Sequence, residues 1–476
     1  MNQTHWNDLS QKQKLTRIAI LVTWTVLHIY ISATRSLWQD ELMRYRQMQM
    51  GFVEAMISLF NEQSPFAPGE ILLGFLCKFS LGSFTPFELW SRLPSVLWGT
   101  LTLWLAMRVK SPLMLVLLAL SVSMTSFTTQ FRPYGALIFA GAFSFRLILD
   151  KNPLSRFETI LSWITIFMTH IYGMGFMALA FAFRRDWTKA LVALVYATAI
   201  GAIYMGFHEG QVHGWVGREA AVIDPTQFVQ HTLRALGNPY RASFFLLPFA
   251  LLGALHLTGT SLKLGGQIAC HFFATLIAPL VANKLGHYEY VPRQIVGGIF
   301  GYLFLTALGV EKFTQILETI KIKPRHAHIA LTALLVIVSG RAWFLYVVDG
   351  RPPISEQPLH RHKQNIELSI KSKDRNVVLL DPGGTGFFYF DQLKGEPQSV
   401  EQVKAGSLTF YKRCWADSYC VYQFDESAYA WRDLNELVDM PDFVSFVNGS
   451  SPKVDRLFYN AYTFKLVSAV PMHRTW

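Results

Sequence analysis

Long apolar runs alternate with short polar ones along most of this chain. The first run extends from Ile18 to about Thr34, behind a polar tail that carries Lys12, Lys14 and Arg17. A helix needs roughly 20 apolar residues to cross a bilayer, fewer where it is short or the membrane is locally thin. Further runs at 94–109, 112–130, 134–149, 157–169, 171–183, 188–207, 242–257, 264–282, 295–310 and 328–348 predict helices of that kind. The pattern therefore predicts a polytopic α-helical membrane protein of about eleven transmembrane helices. The first run is too long for a signal-peptide core and no small-residue cleavage site follows it. The stretch 157–183 reads either as one long helix or as two short ones around His170. The apolar segment 66–81 carries Glu70, Lys78 and two prolines, and reads as a juxtamembrane or re-entrant helix.

Charge settles the ambiguity at 157–183. With two helices there, Arg108, Lys110, Arg146, Lys151, Arg184, Arg185, Lys263 and Lys312 all fall on one side, as the positive-inside rule requires of cytoplasmic loops. One long helix would invert every later loop. The N-terminus is then cytoplasmic, in a plasma membrane of bacterial inner-membrane type. The regions 35–93, 208–241 and the tail from Asp349 lie outside. The tail mixes strand-like runs (376–380, 419–424) with a helix-like one (431–437), which predicts a small extracytoplasmic α/β domain over 349–476 beside a membrane domain over 1–348. The Asp381-Pro-Gly-Gly-Thr-Gly386 stretch lacks both phosphate-loop patterns and reads as a tight turn after a strand.

Composition sharpens this picture. Charged residues make up 16% of the 476, against about 25% in soluble proteins. The formal net charge is +11. A nucleic-acid binder would also be basic, but through a polar Lys/Arg patch rather than apolar runs, so nucleic acid is excluded as a partner. Sorted by the proposed topology, nearly all the excess sits in the inner loops and reports orientation. The membrane-proximal outer cations are arginines except for Lys78 and Lys284, and arginine is the residue suited to gripping phosphate. Cys77 and Cys270 lie in apolar runs and read as buried thiols. Cys414 and Cys420 would be placed to close a small disulfide loop if the tail is extracytoplasmic.

The chemistry-bearing residues cluster on the outer side. Asp40 and Glu41 follow the first span at the start of a helix expected over Asp40–Phe60. Arg92 opens the second span, Arg132 and Tyr134 sit between the third and fourth, and His170 and Tyr172 lie at the next outer turn. Tyr288 and Arg293 precede the tenth. Each alone has a plain explanation as a helix start, a snorkelling anchor or an interfacial tyrosine. Their shared side is what points to a site.

The order of these residues resembles the GT-C glycosyltransferases that use polyprenyl-phosphate sugars, in the branch of protein O-mannosyltransferases and the lipid A aminoarabinose transferase. The resemblance rests on Asp40-Glu41 after the first span, Pro65 and Pro68, Arg92-Leu-Pro-Ser95, Arg132-Pro-Tyr134, His170 with Tyr172, and Pro292-Arg293 before a late span. It covers about residues 15–350. It implies an active site at the outer membrane face and inverting transfer of a sugar from a polyprenyl-phosphate donor to an extracytoplasmic glycan, lipid or protein. By that resemblance Asp40 is the base and Glu41 positions it or holds the acceptor. Arg132 and Arg293 hold the lipid phosphate, with Arg92 as partner to the acidic pair. Tyr134, Tyr172, Tyr288 and His170 contact sugar or phosphate. No HExxH or paired-cysteine spacing marks a metal site. Members of the family differ in metal dependence, which leaves a divalent metal open and no cofactor certain. The competing classes are a lipid-linked sugar flippase or transporter, and a non-catalytic membrane scaffold.

Overall fold

A computed structural model describes residues 9–35, 37, 39–61, 68–150, 152–208, 225–239, 241–286, 292–321 and 323–348, together with five strands in the tail. The helices are α1 Gln11–Thr34, α2 Gln39–Gln49, α3 Phe52–Asn61, α4 Pro68–Leu81, α5 Phe87–Met107, α6 Pro112–Ala119, α7 Val122–Thr128 and α8 Tyr134–Leu149. They continue as α9 Arg156–Met168, α10 Ile171–Arg184, α11 Trp187–His208, α12 Pro225–Gly237, α13 Ala242–Thr260 and α14 Leu262–Gly286. A 3-10 turn, Pro292–Gly298, then leads into α15 Ile299–Thr319, and α16 Pro324–Val347 follows. Among the described residues, five helical stretches are long and apolar enough to cross a membrane: α1, α13, Leu262–Val281 within α14, Arg293–Thr319, and α16.

The burial pattern is that of a helical membrane protein. Along its most apolar stretch α15 is 94% buried, whereas α16 is 22% buried. The outer helices turn apolar side chains outward: Val22, Val26 and Tyr30 on α1, Leu251 and Leu255 on α13, and Ile337 on α16 are all exposed. A helix facing water would present polar residues there; one facing lipid need not. At the centre, α8 is buried almost end to end and packs against α5, α10 and the 3-10 turn. Small residues permit the closest approaches. A Cβ on Gly253 of α13 would strike the Leu305 carbonyl of α15, and one on Gly309 would strike the Phe249 carbonyl of α13. Helices that gain nothing from water exclusion associate through such backbone contacts.

Several predicted elements differ in detail. The two helices around His170 form as α9 and α10, and the part of 66–81 that is described, Pro68–Leu81, forms as α4. The run 112–130 is instead broken into α6 and α7. Ser121 caps α7 by accepting from the Met124 N–H at 3.2 Å, and Asn238 accepts the Val122 N–H at 2.7 Å. Side-chain partners thus satisfy backbone groups that a break inside an apolar region would strand. The helix expected over 40–60 breaks at Gly51 into α2 and α3, with Lys78 donating to the Met48 carbonyl at the end of α2. The polar loop 208–241 contains α12. Cys270 is exposed on α14 and Cys77 is half-buried, so neither is the buried thiol that its apolar setting suggested. The setting was read correctly as apolar, but a lipid-facing helix has an apolar outside as well as an apolar inside.

Two arginines clasp α1 and α5 in antiparallel register. Arg17 near the start of α1 donates to the carbonyls of Met107, Val109 at 2.7 Å and Lys110 at 2.8 Å, where α5 ends. Arg92 near the start of α5 donates to the Ser32 carbonyl at 3.0 Å, in the last turn of α1. Helix ends leave carbonyls without intrahelical partners and carry partial negative charge, so a buried guanidinium suits both ends.

By contacts the chain divides into two units. One comprises Met1–Thr34 with Arg44–Leu359, and the other comprises Arg35–Met43 with His360–Trp476. The described part of the tail is a sheet of β1 Val377–Leu380, β2 Leu408–Trp415, β3 Ser418–Phe424, β4 Arg456–Tyr459 and β5 Tyr462–Pro471, in the order β1-β2-β3-β5-β4. Only β1–β2 is parallel; the other pairs are antiparallel. Cys414 and Cys420 lie on neighbouring strands, Cys414 at the register shift between Arg413 and Trp415. The predicted helix 431–437 and the turn after Leu380 lie outside the described residues.

Candidate functional site

Three turns of the helical unit and the N-terminal part of α5 converge on Tyr134. It is the first residue of α8, follows Pro133, and is 1% exposed. Proline fixes the backbone for entry into a helix, which sets Tyr134 and its neighbour Arg132 at a sharp corner. That corner is held from α5: the Ser95 hydroxyl donates to the Arg132 carbonyl at 3.2 Å. A Cβ on Gly135 would lie 3.1 Å from Ser95 Cα. The Arg92–Ser95 and Arg132–Tyr134 motifs, far apart in sequence, therefore dock on each other.

The other two turns bring their side chains to the same ring. Arg293, on the 3-10 turn, donates from Nε to Tyr134 Oη at 2.8 Å. Its guanidinium carbon lies 5.7 Å from the ring centroid, and that of Arg132 lies 5.8 Å away. The 3-10 turn reaches this position because glycines meet backbone to backbone: a Cβ on Gly141 of α8 would strike the Gly297 carbonyl. His170, between α9 and α10, stacks near Tyr134 at 6.3 Å and lies 4.9 Å from Tyr172. Thr169 ties that corner to α8 by donating to the Ala136 carbonyl at 3.1 Å.

His170 has a defined role in its own turn. It is fully buried and caps α10, its Nδ1 accepting the Tyr172 N–H at 3.3 Å. Burial, with the charge of Arg132 adding to it, pushes the imidazole down to about 3. The ring is therefore neutral at ordinary pH. With Nδ1 accepting, the hydrogen resides on Nε2. Nε2 is buried and has no hydrogen-bond partner among the described residues. Tyr134 Oη, having accepted from Arg293, keeps its own hydrogen to donate. The corner thus presents two guanidinium groups, a neutral imidazole N–H and a phenol O–H around one ring. Such a set matches an anion with several oxygens better than it matches a cation or an apolar group.

Of the residues singled out by sequence, Arg132, Tyr134, His170, Tyr172 and Arg293 come together. Arg92 lies one helical turn from Ser95, is 2% exposed, and holds the end of α1. Asp40 and Glu41 lie in the first turn of α2, within the segment Arg35–Met43 that groups with the tail, and Glu41 is buried. Tyr288 and Pro65 lie outside the described residues. Sequence reasoning gave no role to Ser95 or Thr169, whose hydroxyls fasten the site's corners. A serine or threonine next to a proline or histidine at a span end was the available signal. Among the described residues no three of His, Cys, Asp and Glu gather as a metal-ligand set.

No protein-family model matches the chain, and no curated protein matches it. The functional reading therefore rests on the arrangement around Tyr134 and on the ordered motifs.

Proposed function

We propose that this protein is a membrane glycosyltransferase of GT-C type. It has eleven spans and an extracytoplasmic tail domain, and moves a sugar from a polyprenyl-phosphate donor to a hydroxyl of a glycan, lipid or protein outside the cytoplasm. The observation that carries the reading is the meeting of Arg132, Arg293 and the His170 Nε2–H around Tyr134 at the end of a lipid-embedded bundle.

In this mechanism the acceptor attacks the anomeric carbon while Asp40 takes its proton, and the bond from that carbon to the phosphate oxygen breaks. The electron pair leaves with the lipid phosphate, so charge on the phosphate rises as the reaction proceeds. Arg132 and Arg293 neutralise that charge where water is scarce, and His170 donates without carrying a charge of its own. Attack opposite the leaving group inverts the anomeric centre. Glu41 orients the base or the acceptor. Tyr172 and Tyr288 supply ring faces to the sugar.

The test is transfer by purified protein from a synthetic polyprenyl-phosphate sugar, compared with Asp40→Asn. The variant should fold, bind donor with wild-type affinity and lose at least about 100-fold in turnover, the lower range for removal of a general base. Wild-type turnover in Asp40→Asn would remove Asp40 from the mechanism. Donor translocation without transfer by the wild type would replace the transferase with a flippase.

A further inference from the structure

The opposite end of the helical unit holds a cavity of about 250 Å3, away from Tyr134. One part of its wall is cationic, formed by Arg108 and Lys110 after α5 and by Arg146 near the end of α8. Another is apolar, formed by Phe300, Phe304 and Leu308 of α15. The volume is below the roughly 300–1,000 Å3 of a site for a drug-sized molecule. It fits a headgroup and its first methylenes rather than a whole lipid.

The charges at this end are only partly spent on one another. Glu158 accepts from Arg108 at 2.8 Å and from Arg146 at 3.1 Å, and Asp150 accepts from Arg146 at 2.6 Å. A guanidinium has five N–H donors, and Arg146 Nε is buried with no hydrogen-bond partner among the described residues. The Arg108 guanidinium carbon lies over Trp104, 3.9 Å from the ring centroid, which holds it in place without consuming its donors. Lys110 is exposed. Arg17, Arg108, Lys110, Arg146 and Arg184 outnumber Glu158, Asp150 and Glu311 here, so the cluster is net positive. Basic pockets between helices at the span ends are where anionic headgroups bind.

We propose that this cavity binds an anionic phospholipid of the adjoining leaflet, its phosphate against Arg108, Lys110 and Arg146 and its chain along Phe300 and Phe304. The inference needs the membrane setting but not the glycosyl-transfer reading.

Native mass spectrometry of the full chain, released from detergent with defined lipids, tests it. Phosphatidylglycerol should be retained about tenfold over phosphatidylcholine. Lys110→Glu, at an exposed side chain, should cut that retention about fivefold or more, the effect of about one basic residue at a charged lipid surface. Ala307→Leu, which fills the cavity from α15, should cut it as well. Equal retention of the two lipids would overturn the proposal. So would wild-type retention in both variants, or displacement of phosphatidylglycerol by glycerol 3-phosphate alone, which would make this a site for free anions.

Discussion

The two ends of the helical unit set the same cation in different surroundings. At the Arg17 end, arginines are tied to carbonyls and carboxylates, with Arg146 Nε left over among the described residues. Arg17 and Arg184 donate to carbonyls, and Arg108 and Arg146 share Glu158, which also closes a capping box with Ser155. At the Tyr134 end, Arg132 and Arg293 surround a tyrosine ring beside a neutral histidine that has a donor to spare. The first arrangement is held by carboxylates and helix-end carbonyls; the second gathers two guanidinium groups and an imidazole N–H about one ring. Counting arginines does not separate them; asking what each guanidinium touches does.

Single substitutions can break this comparison. Arg293→Ala should lower turnover about 100- to 1,000-fold, as loss of one preorganised donor to a developing anion does, with thermal unfolding close to wild type. Arg293→Lys, keeping the charge but not the Nε contact to Tyr134, should recover part of the loss. A large drop in melting temperature with normal turnover would make Arg293 structural and erase the contrast. At the other end, Glu158→Ala should cost about 2 kcal/mol of stability, because it takes the carboxylate from Arg108, leaves Arg146 with Asp150 alone and opens the capping box of α9. Turnover per folded molecule should be unchanged, measured by activity against the folded fraction.

The smallest expected effect is a pH dependence. An unfolded histidine takes a proton near 6.5, and folded His170 takes one only near about 3. Between those values the unfolded state binds more protons, so acid destabilises the wild type from 6.5 downward and leaves it unaffected above. His170→Asn keeps a capping side chain and removes the titration. The difference between the two unfolding profiles should therefore grow by about 1 kcal/mol over the first unit below 6.5. Parallel profiles would show His170 titrating as it does when unfolded.

Much of this was legible in the sequence, for reasons that differ by element. The apolar runs at 134–149 and 171–183 return as α8 and α10 almost to the residue, because Pro133 and the His170 cap open them and Asp150 and the left-handed Arg185 close them. Arg132, His170 and Arg293 could be grouped from loop sidedness alone. The break between α6 and α7 was hidden, since it depends on Asn238, more than a hundred residues away, reaching the Val122 N–H. The clasp of Arg92 on Ser32 was hidden in the same way, since sequence does not show which carbonyl is near. Cys270 was misplaced because apolar neighbours do not say which face of a lipid-embedded helix looks inward.

The clasp between α1 and α5 also measures length. Ser32 is as far along α1 from Arg17 as Met107 is along α5 from Arg92, so both ends close at once. At 1.5 Å per residue the distance between the clasps is about 22 Å. A bilayer's hydrocarbon layer is about 30 Å thick. The clasps lie inside that thickness, so the pair acts as a gauge of register that holds α1 and α5 in step over about four turns. A residue inserted between Arg17 and Ser32 would open one clasp whichever end stayed closed.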